Sequence, residues 1–174
     1  MDKNYSNKFN PFLPGIYPYL ETRFSSYAFK CLKMLSLSPA RFVSPNTKII
    51  TERMANFKCL KANHSSINFD CSCGFYSFKT LEDAWDYSLF APETLIFKVR
   101  LLGTVIEHNI GYRSESQEIT HLLHSPCYYK KCSLTSEYLL CRDSITLSCL
   151  KHAKGKALPL SSIDTSELKL LEYR

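Results

Sequence analysis

Eight cysteines in 174 residues are the feature that most limits how this chain can fold. An even number of cysteines permits disulfide bonds in an oxidising compartment, whereas clustered cysteines in a reducing compartment more often bind metal. The first 20 residues contain no apolar stretch of the kind that marks a secretory signal. We therefore expect a cytoplasmic, reducing environment and metal binding, with delivery to a host cell left open.

The first cysteine–histidine cluster follows the pattern Cys59-x4-His64-x6-Cys71-x-Cys73-Gly74. Zinc takes four thiolate and imidazole ligands in a tetrahedral arrangement, and this segment supplies four. The glycine after the last cysteine fits a knuckle, a tight turn whose backbone N–H groups face the sulfur, since glycine tolerates positive φ. The pattern predicts a structural zinc site at Cys59, His64, Cys71 and Cys73. The alternatives are buried thiols beside a surface His64, or a redox or catalytic cysteine pair.

The second cluster follows the pattern Cys127-x4-Cys132-x16-Cys149-x2-His152. It resembles a treble-clef or ribbon arrangement, in which two ligand pairs from separate turns converge on one zinc ion. Nearby positive charge favours the thiolate form of cysteine. Four lysines flank the ligands: Lys130, Lys131, Lys151 and Lys154. The pattern predicts a second structural zinc site, with buried thiols as the alternative.

Two cysteines stay outside this partition, and both lie in apolar segments. Cys31 and Cys141 are expected to behave as small buried hydrophobic side chains, which is the usual role of an unligated cysteine. Cys141 is also a candidate substitute ligand for the second cluster, because it lies between the two ligand pairs.

Three segments are expected to be helical. Apolar residues over 21–36 recur with the spacing of one helix face. They are Phe24, Tyr27, Ala28, Cys31, Leu32 and Leu35. Thr80 opens a capping box that predicts a short helix ending before Pro92. A third short helix is expected after Asp164, and a short strand over 47–51.

A long β-hairpin is the clearest strand signal. Residues 95–108 alternate apolar and charged side chains, and residues 112–122 return after a turn at Asn109-Ile110-Gly111. Four polar or aromatic side chains gather at this turn and form a candidate binding site: Glu107, His108, Tyr112 and Arg113. Arg113 could bind a phosphate or carboxylate, and Tyr112 could stack on a ring. The favoured alternative is a structural cross-strand ion pair between Glu107 and Arg113.

Several enzyme classes are disfavoured because their motifs are absent from the sequence. The chain has no glycine-rich phosphate loop, no His-Glu-x-x-His and no Gly-x-Ser-x-Gly. Ser125-Pro126-Cys127 resembles half of the zinc deaminase signature, but no His-x-Glu or Cys-x-Glu supplies the required general acid/base. The net charge of +6 permits an anionic partner without requiring one.

Two stretches resemble a group of small, uncharacterised bacterial proteins. Residues 71–77 (CSCGFYS) and 102–114 (LGTVIEHNIGYRS) match a Cys-x-Cys-Gly knuckle and a Gly-x-Val-x-Glu-His-x-x-Gly-Tyr-Arg hairpin. A Cys–Cys pair and a Cys-x-x-His close the pattern in the group. The resemblance covers roughly residues 55–155, with Ser77 and Ser114 where the group has alanine. It implies the positions of both clusters and brings no known activity.

Together these features predict an α+β fold, with a small antiparallel sheet around the long hairpin, short helices and zinc-stabilised loops. Residues 1–20 are expected to form an extended arm, since three prolines interrupt them, and residues 21–174 a single domain. We expect a non-enzymatic recognition module for a protein or nucleic-acid partner, with no membrane-spanning segment. The alternatives are an enzyme with its site at the hairpin turn, and an effector or adaptor that acts through protein–protein contacts.

Overall fold

The structure, a computed structural model, describes residues 27–37, 40–43, 64, 66–91, 93–129, 132–141, 145–155 and 157–162. The predicted arm over 1–20, the strand over 47–51, the helix after Asp164 and the predicted ligand Cys59 lie outside these residues.

Within this part of the chain the fold is broadly α+β and rich in antiparallel sheet. The strands are β1 (Tyr27–Leu37), β2 (Ala40–Val43), β3 (Phe75–Phe78), β4 (Thr94–Glu107), β5 (Gly111–Leu123), β6 (Tyr138–Cys141), β7 (Ile145–Ser148) and β8 (Ala157–Pro159). The described helices are α1 (Leu81–Phe90) and two 3-10 turns, Leu150–His152 and Leu160–Ser162. None of the described helices has the length and apolar composition needed to cross a membrane.

The predicted hairpin is confirmed as β4 and β5. Their pairing runs from Ile96 opposite Leu123 to Glu107 opposite Tyr112. The pairing shifts register between Leu102 and Val105, where Gly103 has a φ of +74°. A Cβ on that glycine would lie 2.9 Å from the Cβ of Glu115, and any other residue would have to adopt this positive φ, so glycine is favoured at the bulge.

The prediction of a helix over 21–36 is wrong where the structure describes this segment, because residues 27–37 form β1. This strand pairs with β4 from Tyr27 opposite Arg100 to Lys33 opposite Thr94. Both of its faces are buried, with Ala28 and Leu32 in one apolar cluster and Cys31 in another. A strand that is buried on both faces lacks the polar alternation that identifies a strand, so its apolar residues also fit a helical spacing.

The first sheet closes on itself around β1. It has the order β2-β1-β3-β5-β4, and β1 also pairs with β4. The contact between β1 and β3 is made by Phe29 opposite Phe78. The second sheet has the order β7-β6-β8. Leu139, Leu147 and Leu160 from this part of the chain join the core of the first sheet, so both sheets share one hydrophobic interior.

Helix α1 covers the opposite face of the first sheet. The predicted N-cap at Thr80 is confirmed, since its hydroxyl accepts a hydrogen bond from the backbone N–H of Asp83 at 3.1 Å. Ala84 packs with Cys31 and Ile96 beneath the helix. The thiol of Cys31 donates to the Ala84 carbonyl at 3.3 Å, which confirms its expected place in the core.

A lysine is buried on the face of β1 that also carries Ala28 and Leu32. Lys30 is 3% exposed, donates to the Tyr76 carbonyl at 2.8 Å, and lies 5.7 Å from the centroid of the Phe75 ring. Burial disfavours its ammonium form and lowers the pKa of Lys30 from 10.5 to about 7, against a smaller opposing effect of Cys31.

This burial makes stability depend on pH. Between about pH 7 and 10.5 the unfolded chain binds more protons at Lys30 than the folded chain, so stability rises with pH in this window. Below it, the folded state holds a buried ammonium. Lys30→Met should therefore be more stable than the original chain near pH 7, by on the order of a few kcal/mol, and lose that advantage towards pH 10. Denaturant unfolding at a series of pH values measures the difference.

Lys33→Met is the matched control, because Lys33 pairs with Glu93 at the surface. Its effect on the free energy of unfolding should not change over the same pH range. A Lys30→Met advantage that stays constant with pH would contradict the burial of a titrating ammonium.

Candidate metal centres

The second cluster brings all four predicted ligands together. Cys132 Sγ lies 3.8 Å from Cys149 Sγ, and His152 Nδ1 lies 3.5 Å from Cys127 Sγ and 3.3 Å from Cys149 Sγ. All four donor atoms lie within 4.8 Å of one another. A tetrahedral zinc ion with Zn–S of about 2.3 Å and Zn–N of about 2.0 Å separates its ligand atoms by about 3.8 Å for two sulfurs and about 3.5 Å for sulfur and nitrogen. The three donor pairs with direct distances therefore have spacings close to those of a tetrahedral zinc site.

The first ligand pair lies on a loop between β5 and β6. An isolated bridge between Pro126 and Thr135 closes the loop, and the N–H of Cys127 donates to the Leu134 carbonyl at 3.2 Å. The N–H of Cys132 donates to the Tyr129 carbonyl at 3.0 Å. These hydrogen bonds hold Cys127 and Cys132 where both sulfurs belong to one cluster of donor atoms.

The second ligand pair follows β7 on a 3-10 turn. The N–H groups of His152 and Ala153 both donate to the Cys149 carbonyl, at 3.0 and 2.9 Å. Tyr129 from the first loop lies flat on the His152 imidazole, with ring centroids 4.2 Å apart and an interplanar angle of 11°. Ligand spacing alone does not predict this contact, and the tyrosine pair between the first two ligands is its only visible signal in the sequence.

Backbone N–H groups around the sulfurs favour charged ligands. The N–H of Cys149 donates to Cys127 Sγ at 3.4 Å. Burial alone would raise the pKa of the Cys149 thiol. Hydrogen bonds from the N–H groups of His152 and Lys151 and from the neighbouring thiols outweigh this effect, so the pKa of Cys149 is lowered overall. Burial raises the pKa of Cys127. A cation bound to both sulfurs would favour the thiolate form of each.

The first cluster brings together the three ligands that the structure describes. His64, Cys71 and Cys73 offer donor atoms within 4.8 Å of one another, and all three are half-buried. His64 Nδ1 lies 2.5 Å from the Ser66 carbonyl, and Nε2 lies 3.7 Å from Cys73 Sγ. A carbonyl only accepts, so Nδ1 carries the proton and Nε2 keeps its lone pair towards the sulfur. This is the arrangement in which a metal-binding histidine is usually held.

A buried arginine ties the first cluster to the sheet. Arg113 is 2% exposed, and its guanidinium donates through Nη1 to the Cys73 carbonyl at 3.0 Å and through Nη2 to the Asn68 carbonyl at 2.7 Å. Gly74 has a φ of +106°, as the knuckle requires, and a Cβ there would lie 3.0 Å from Arg113 Cγ and from Ile67 Cγ2. Sequence reasoning missed this tether because it joins residues that are 40 positions apart.

The side chains of the predicted hairpin-turn site each have their own contacts, and they differ in burial. Glu107 pairs with Lys79 at 2.5 Å, and Lys79 also lies 5.6 Å from the centroid of Tyr112. His108 is 3% exposed. Arg113 stands opposite Ile106 in the ladder and Glu107 opposite Tyr112, so the expected Glu107–Arg113 pair is wrong. Partner binding at this turn stays a prediction.

The tether predicts a local effect on metal affinity. Arg113→Lys keeps the charge but replaces a fork that donates to two carbonyls with a single point of donation. We expect about tenfold weaker Zn²⁺ binding at the first cluster, because second-layer contacts typically contribute that much, and unchanged binding at the second. Zinc transfer to a chromogenic chelator, followed over time, separates the two sites by their release rates.

Arg100→Lys serves as the control, since Arg100 pairs with Glu118 on a partly exposed face of the hairpin. It should release zinc like the original chain. Identical release by the Arg113→Lys and Arg100→Lys variants would show that the tether does not support the first cluster.

Comparison with known proteins gives no relative for this chain. No protein family, no curated protein and no solved structure matches it. A functional conclusion therefore has to come from the geometry of the described residues.

Proposed function

We propose that this chain is a non-enzymatic recognition module, for a protein or nucleic-acid partner, whose loops are held by two structural zinc ions. The geometry of the second cluster supports the zinc part of the proposal. Three sulfur donors and one nitrogen donor from two separate segments lie within 4.8 Å of one another. Three of the donor pairs are 3.3–3.8 Å apart.

The type of donor favours zinc over other common metals. Three cysteines and one histidine form a common structural zinc set. Magnesium and calcium prefer oxygen ligands, and among the residues that the structure describes no aspartate or glutamate joins either cluster. Iron–sulfur clusters are usually held by four cysteines, which neither cluster offers in its described part.

The number of donors favours a structural role. A catalytic zinc keeps one coordination position open for water or substrate, whereas four protein ligands close the site. The ligands of the second cluster come from before β6 and after β7. A zinc ion there would join the two ends of the β6–β7 hairpin, and structural zinc contributes on the order of 10 kcal/mol to folding.

An enzymatic site at the hairpin turn has less support. His108 and Arg113 are 3% and 2% exposed, and the Arg113 guanidinium is engaged by two backbone carbonyls. A catalytic pair must reach its substrate, so burial of both side chains argues against this alternative.

Metal content tests the proposal directly. Protein purified under reducing conditions with zinc present should contain about two zinc ions per chain by elemental analysis. Cys149→Ser and Cys73→Ser should each lose one, because three remaining ligands hold zinc less tightly than four. A preparation with no zinc would refute the proposal, and one zinc would leave one cluster as buried thiols.

Cys31→Ala is the matched control for these variants. Cys31 is buried and bonded to Ala84, outside both clusters. It should keep both zinc ions and lose only about 1–2 kcal/mol of stability, within the usual range for a small core substitution. Loss of zinc from this variant would contradict the division of the cysteines.

The fourth ligand of the first cluster is a separate prediction. If Cys59 completes this site, Cys59→Ser should weaken metal binding there by at least about tenfold and leave the second cluster loaded. Cobalt substitution measures it, because sulfur-to-cobalt absorption in the near ultraviolet scales with the number of bound thiolates. Unchanged absorption and unchanged metal content in Cys59→Ser would mean that the first site has a ligand other than Cys59.

A further inference from the structure

An exposed aromatic ring lies directly over the second cluster. Tyr129 stacks with one face on the His152 imidazole, yet it remains 54% exposed. One face of the ring is covered by the imidazole, and more than half of the residue's surface is still accessible to solvent. The Tyr128 ring lies nearly perpendicular to it, at 5.9 Å between centroids and 86° between planes.

The ring is held in place before any partner arrives. His152 is one of the four ligands of the second cluster, so the metal that fixes its imidazole also fixes the surface on which Tyr129 rests. A rigid platform loses little conformational entropy when a flat group stacks on it, which favours binding.

The sequence next to the ligands of the second cluster contains lysines and no acidic residue. Residues 128–136 and 150–156 contain five lysines and no aspartate or glutamate. The five are Lys130, Lys131, Lys151, Lys154 and Lys156. Lys151 and Lys154 are exposed, and neither forms an ion pair with a residue that the structure describes. An anionic group that approaches the segment around His152 would therefore be attracted by two exposed ammonium groups.

A nucleotide in a single strand offers both a flat base that can stack and a negatively charged phosphate. Single-strand binding proteins combine exposed aromatic rings with basic surroundings in this way, because every base has a stacking face and every linkage a charge. A duplex hides its base faces, and an acidic peptide has charge without a regular stacking group.

We propose that the exposed Tyr129 ring on His152, together with the exposed Lys151 and Lys154 of the segment that carries His152, binds single-stranded nucleic acid. This inference rests on the proposed function, since it names the partner of the recognition module and uses zinc to hold the platform.

The test uses the full, zinc-loaded chain and fluorescently labelled single-stranded DNA of about 20 nucleotides, with the matching duplex and a poly-glutamate peptide as competitors. Fluorescence anisotropy should show tighter binding to the single strand than to the duplex. Tyr129→Leu should weaken binding at least about fivefold, and Tyr129→Phe should keep it, because stacking needs the ring and not the hydroxyl. A double variant Lys151→Gln, Lys154→Gln should lower the slope of log affinity against log salt by about 0.7 for each lysine that meets a phosphate.

Matched controls come from the first sheet. Tyr27 is 49% exposed in β1, and Lys33 and Lys98 lie on β1 and β4. Tyr27→Leu and the double variant Lys33→Gln, Lys98→Gln should bind the single strand like the original chain. Equal losses of affinity in control and test variants would mean that binding does not depend on this site, and would overturn the proposal. Equal affinity for the duplex, or full displacement of the single strand by poly-glutamate, would also overturn it.

Zinc content of every variant separates the two proposals. Two zinc ions with no affinity for the single strand would overturn the nucleic-acid inference and leave the zinc-stabilised module standing. Absence of zinc from the original chain would refute the proposed function itself. Should Tyr129→Leu lose zinc, the lysine variants decide, and an unchanged salt slope in them would overturn the inference.

Discussion

Backbone pairing between β4 and β5 is the constraint on which both candidate metal centres depend. Near the start of β5, Arg113 donates to the loop that contains His64 and Cys73. Beyond its end, Ser125 accepts a hydrogen bond from the N–H of Ile96 in β4 at 2.9 Å and begins the loop that contains Cys127. A shift of one residue in this ladder would turn Arg113 to the other face of the sheet and remove the tether.

Charged and polar groups inside the sheet are accommodated by backbone carbonyls. Lys30 donates to Tyr76, Arg113 to Cys73 and Asn68, and Gln117 to Phe75. Three of these four carbonyls belong to residues 73–76, at the start of β3 and just before it. The short strand β3 thereby gains hydrogen bonds beyond those of the sheet ladder. Burial of the charged and polar side chains that donate them costs solvation energy.

Local patterns predicted the parts of the molecule that local interactions determine. The hairpin follows from alternation between residues 95 and 122, the start of α1 from Thr80, and the convergence of the second cluster from ligand spacing that metal geometry dictates. The strand β1 could not be predicted this way, because burial of Ala28 on one face and Cys31 on the other depends on tertiary contacts. The Arg113 tether and the Tyr129 stack were also missed, since which residues meet across loops is decided only once the sheet exists.

The length of β5 has a further consequence. The strand has 13 residues, and at about 3.3 Å per residue it spans about 40 Å, with the first cluster tethered near one end and the second beginning past the other. The two clusters share no ligand, so the loss of one set of ligand contacts leaves the other set in place. Leu139 and Leu147 of the second sheet nevertheless pack in the same core as Val99 and Leu101 of the first, so release at one end of β5 would also loosen the packing around that core.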